Sequence, residues 1–102
     1  MSEIFYLIRS KADGQYLVAR PRVADAQEGE ANPGFLLLFK EHFDALSYLN
    51  THGSDVAPRF AVESIPRDQV GSILKRWGFA GVGIVQDPLL PRVEFLQQDS
   101  RF

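Results

Sequence analysis

Three groups of residues in this chain have the types that carry chemistry: the glycines of WGFAGVGIVQDP, two histidines, and a set of arginines. Gly78, Gly81 and Gly83 stand in the order G-x-x-G-x-G, the dinucleotide fingerprint reversed. A phosphate loop needs a strand, then glycines, then a helix whose N-terminal amides receive the anion. Here a helical pattern precedes Gly78 and a strand-like run follows it, so the loop would present carbonyls and the negative end of a helix dipole. The pattern predicts a helix stop instead, with Trp77 as C-cap, Gly78 left-handed and Phe79 folded against Leu74 in a Schellman motif. Gly81 and Gly83 then open a strand, where absent side chains permit a bulge or a close approach.

His42 and His52 are the two histidines. Ten residues apart on one helix, they point about 80° away from each other and lie roughly 15 Å apart along the axis, too far to share a metal. No Ser stands in a nucleophile-elbow context, and the absence of Cys removes thiolate ligands, disulfides and a cysteine nucleophile. Carboxylates are scattered singly, and Glu63 with Glu94 is the one strand-borne pair that folding could bring together for acid–base work. Catalytic residues, metal and cofactor are therefore all expected to be none.

Basic residues are mostly arginine, and Arg9, Arg20 and Arg22 come from one hairpin, where they could converge on a carboxylate or phosphate. The connector DPLLP is of another kind. Leu89 and Leu90 lie between Pro88 and Pro91, and such a hairpin tip is hard to bury locally. An exposed apolar tip marks a contact surface. Leu89, Leu90 and Phe79, with Arg92 at the rim, are the candidate partner-binding residues.

The elements that must position these residues follow from periodicity. Ile4 to Arg9 and Gln15 to Arg20 are β-branched and aromatic runs joined through Asp13-Gly14, a hairpin. Residues 21–33 are polar, acidic and proline-bounded, and are expected as a mobile surface loop. Gly34 to Phe39 reads as a central strand. Glu41 to His52 reads as a helix burying Phe43, Leu46 and Leu49, and Arg59 to Ser64 as a half-buried strand. Pro66 to Trp77 has Val70, Ile73, Leu74 and Trp77 on one helical face. Val82 to Gln86 and Arg92 to Leu96 complete the sheet, and residues 97–102 are expected to fray.

The result is one α+β domain over 1–102: a single mixed sheet of five to six strands, in the order β-β-β-α-β-α-β-β, with two helices. GFLLLF and IFYLI are apolar on both sides, so both sheet faces need cover. Either the helices lie on opposite faces across a reversal of strand order, or both lie on one face and the other is closed by curling or a second subunit. The reading adopted is one shared face with self-association, as a homodimer.

Charged residues make up 24% of the chain and nearly cancel, to a net charge of −2, so no strong field steers nucleic acid or an anionic membrane. No apolar run approaches the ~20 residues that span a bilayer. The start MSEIFYLIRS lacks the pattern of a signal peptide. A cytoplasmic, soluble chain is the expectation.

The run FLLLFKEHFDALSYL, Phe35 to Leu49, resembles a signature of apolar strand, short polar linker, Asp-Ala and helix in a family of small uncharacterised proteins from cyanobacteria and chloroplasts. There too an N-terminal hairpin precedes the run, and a second strand–helix pair ends in Gly, as at Arg59 to Gly78 here. The same order is similar to the N-terminal domain of SseB-type proteins, with Lys40 where a Ser or Thr cap is usual. The resemblance covers about half the chain, implies a small non-enzymatic domain and transfers no site residue. The function expected is a protein-interaction, assembly or regulatory domain, with binding of a small anionic ligand by the hairpin arginines as the alternative.

Overall fold

A computed structural model describes residues 3–20 and 34–97. The expected loop at 21–33, and Arg22 with it, lie outside the described residues. Strand β1 (Ile4–Ser10), β2 (Val18–Ala19), β3 (Phe35–Phe39), helix α1 (His42–His52), β4 (Phe60–Pro66), α2 (Arg67–Trp77), β5 (Gly81–Asp87) and β6 (Arg92–Gln97) follow in that order. They form one mixed sheet with two helices, an α+β fold. β6 runs through Gln97, one residue into the stretch expected to fray.

The strands are arranged β4-β1-β3-β5-β6, with β2 paired to β3 alone. β3, β4 and β5 run parallel to one another, and β1 and β6 run against them. The hairpin after β1 departs from the two full strands expected. Leu17 donates its amide to the Ile8 carbonyl, and its own carbonyl accepts from the Leu37 amide. Tyr16 pairs antiparallel with Arg9 of β1, yet Val18 and Ala19 pair antiparallel with β3. Since β1 and β3 are themselves antiparallel, the chain must reverse direction at Leu17. The segment thus wedges β1 and β3 apart, and those two strands pair directly only at Tyr6 and Phe39.

The helices lie on opposite faces, which corrects the expectation of a shared one. Val70 and Leu74 of α2 pack with Phe5, Leu7, Leu36, Leu38, Val82 and Ile84. Ala45 and Leu49 of α1 pack with Ile8, Leu37, Phe39 and Val85, the alternate residues of the same strands. The physical reason is crossover handedness. α1 carries the chain from β3 outward to β4, and α2 carries it back across the sheet to β5. Right-handed crossovers that travel in opposite directions must pass over opposite faces. With both faces covered, no bare sheet face calls for a second subunit.

α2 ends as its glycine requires. Gly78 is left-handed, with φ 73°, and the amide of Phe79 donates to the Leu74 carbonyl at 3.0 Å. Both side chains are buried in the α2-side core, which completes the Schellman contact. Gly83 serves close approach: a Cβ there would stand 3.0 Å from Val93 Cγ1 and 3.2 Å from Phe95 Cε1. The sheet's register shift falls elsewhere, between Val85 and Asp87.

Candidate functional site

α1 does not bury the face its three-residue spacing suggested. Phe43 is 74% exposed and Leu46 41%. The helix rests instead on Ala45, Tyr48 and Leu49, at i, i+3 and i+4, and the exposed His52 at i+7 continues that stripe with its ring against Tyr48. Ala45 has no exposed surface, and its short side chain lets the helix approach the sheet. Tyr48 stands edge-on to Phe39, with ring centroids 5.4 Å apart, and burial pushes its phenol pKa up. His42 meets Tyr6 edge-on at the other end. No side chain caps the helix start at Glu41.

The far end of α1 is fastened to the turn between β5 and β6. His52 Nε2 lies 2.9 Å from the Pro88 carbonyl, and because a carbonyl only accepts, Nε2 donates. The Leu89 amide donates to Asp87 Oδ1 at 2.9 Å, which fixes the start of the turn. Leu89 and Leu90 are then held outward, 62% and 74% exposed. Arg92 is also exposed at the base of this turn. Phe79 does not join them, which corrects the grouping of all four residues. It is buried by its contact with α2 and sits before β5, whereas the leucines follow that strand. Seven strand residues put about 20 Å between the two places.

Two further exposed apolar side chains belong to the α1 side of the sheet. Phe95 packs edge-on against Phe35 at 5.1 Å, and Ile4 alternates in register with Tyr6 and Ile8. Of the seven large hydrophobic side chains exposed among the described residues, six therefore belong to the α1 side or its tethered tip. The seventh is Trp77, expected as core but 40% exposed where α2 ends. Sequence reasoning missed Phe43, Leu46, Ile4 and Phe95. The competing spacing of Ala45, Tyr48, Leu49 and His52 was the available signal for the first two.

Trp77 borders a groove of about 580 Å³ between the hairpin and the end of α2. Tyr16 stands edge-on to Trp77 at 5.1 Å, and Trp77 stacks on Phe79 at 6.1 Å. Gln15, Asp13 and Arg20 stand among its polar lining. The carboxyl of Asp13 is held below the usual range, first by the Gln15 amide and then by the Ser10 hydroxyl. Arg9 is engaged within its own hairpin. Its Nε donates to the Gly14 carbonyl at 2.8 Å, its guanidinium lies over the Tyr16 ring, and Glu63 stands 3.7 Å away. Of Arg9 and Arg20, the members of the expected anion set among the described residues, Arg20 lines the groove.

Glu63 and Glu94 are not brought together, since β4 and β6 are the two edges of the sheet, about 19 Å apart across five strands. No cluster of three or more metal-ligating side chains occurs among the described residues. Among the described residues no helix is long and apolar enough to cross a membrane. No family model, curated protein or solved structure matches the chain, so its own geometry carries the functional reading.

Proposed function

We propose that this chain is a small non-enzymatic protein-interaction domain whose α1 side docks a partner. One observation carries the reading: large apolar side chains stand exposed on that side and at its tethered tip, while the α2 side is closed except at Trp77. Monomeric surfaces expose single hydrophobic side chains freely, but a one-sided collection marks a contact surface. The Asp87 turn and the His52 tether hold Leu89 and Leu90 outward in advance, so little ordering is left to be lost on binding. The test is a pair of affinity purifications with wild-type and Leu89→Asp/Leu90→Asp baits, each with its melting temperature. The expected result is loss of a wild-type partner with an unchanged melting temperature. Partners retained by the double variant, or a large fall in stability, would overturn it.

The groove beside Trp77 favours a second reading, a regulatory domain for a small ligand with an anionic group. Its volume falls in the range of small-molecule sites, and it combines an aromatic wall with the Arg20 cation at its rim. A thermal-shift screen of phosphorylated metabolites should then show stabilisation that Arg20→Ala removes. A flat screen removes this reading.

A further inference from the structure

We infer that the partner surface includes the free edge of β6, and that its occupant is a second copy of this chain, paired antiparallel about a two-fold axis at Val93. The inference deepens the protein-interaction reading and rests on it. β6 ends the sheet, and among the described residues its outer side meets no strand. An unpaired strand edge is a row of amides and carbonyls ready to accept another strand.

The two edges are not equally open. Pro58 stands just before β4 and Pro66 ends it, and its Glu63 already faces Arg9. β6 has no proline within it, and Arg92 makes no ion pair among the described residues. Its flanks carry exposed Leu90 and Phe95.

Symmetry and charge select the register. An antiparallel two-fold pair has its axis normal to the sheet, so α2 side meets α2 side, and opposed residues share a face. On the α2 side β6 presents Arg92, Glu94 and Leu96. With the axis at Val93, Arg92 of each copy stands opposite Glu94 of the other, giving two complementary pairs. Moving the axis to Glu94 would set the two Glu94 carboxylates against each other. Moving it to Phe95 would set Glu94 opposite Leu96 and leave Arg92 with no Glu94 across from it. Charges of both signs on one face thus protect the edge against a misaligned copy and favour one alignment.

The test is sedimentation velocity over a concentration series for the wild type, Arg92→Glu, Glu94→Arg and the double swap, each checked by circular-dichroism melting. These side chains are exposed, so the fold should survive all three changes. The wild type should dimerise. Each single swap should weaken dimerisation by about 100-fold, because two like-charge pairs replace two attractive ones, and the double swap should restore it. A wild type that stays monomeric throughout overturns the inference, as does a dimer indifferent to the single swaps or not rescued by the double one. A dimer broken by Phe43→Asp and untouched by the swaps overturns the β6 edge but leaves the protein-interaction reading in place. A monomer whose Leu89→Asp/Leu90→Asp variant keeps every partner overturns both.

Discussion

The α2 side and the α1 side of the sheet have the same strands between them, yet they are finished differently. On the α2 side, Val70 and Leu74 reach zero exposure, Phe79 folds back under the helix end, and Gly78 closes it. On the α1 side an equally long helix, like α2 without a side-chain cap at its start, buries Ala45 and Leu49 and turns Phe43 outward. Hydrophobic burial scales with area removed from water. A helix resting on alanine and leucine therefore contributes less than one resting on valine and leucine. The difference shows where a small domain can spend apolar residues on something other than its own core.

The largest expected effect tests that difference directly. Leu74→Ala should cost about 3–4 kcal/mol, as a fully buried leucine, while Leu49→Ala, which keeps 7% exposure beneath α1, should cost about 2. Denaturant unfolding of both measures this, and the reverse order would mean that α1 is the better-seated helix. Next comes Gly83→Ala, at about 1–3 kcal/mol, because its new methyl meets Val93, Phe95 and Leu37 within 3.3 Å. A neutral result would show that β6 yields easily on the α1 side. Phe43→Ser should change stability by no more than about 0.5 kcal/mol and still weaken partner binding. A substantial loss of stability would place Phe43 in the core.

The smallest effect is a pH dependence. Burial raises the Tyr48 phenol pKa in the folded chain, so the unfolded chain loses that proton first as pH rises. The contribution is fully present below about pH 10, the ordinary tyrosine value, and is lost as pH climbs through the higher folded value. Tyr48→Phe should flatten this alkaline loss in urea unfolding measured on both sides of that pH. An unchanged slope would mean that Tyr48 is open to water.

Much of this fold is legible in the residues because it is local. The Leu74–Phe79 contact and the left-handed Gly78 depend on six consecutive positions, and the hairpin turn at Asp13-Gly14 depends on four. β4 and α2 were displaced by only one or two residues, with Pro66 closing the strand instead of opening the helix. Of the candidate site, the outward pair Leu89 and Leu90 was legible from the prolines around it. The α1 patch was not. Phe43-Leu46-Leu49 and Ala45-Tyr48-Leu49-His52 are both acceptable helical stripes, and hydrophobicity alone prefers the one with phenylalanine.

By itself, then, the sequence determined the element types, the helix stop at Gly78 and the two-sided apolar character of the central strands. These depend on backbone preferences and on neighbours within a turn. Only the tertiary structure decided that the helices take opposite faces, that Leu17 splits the hairpin, and that Phe43 faces away from the core. Each of these depends on the strand order β4-β1-β3-β5-β6. That order sets the direction of each crossover, and so which stripe of α1 meets Phe39 and Ile8.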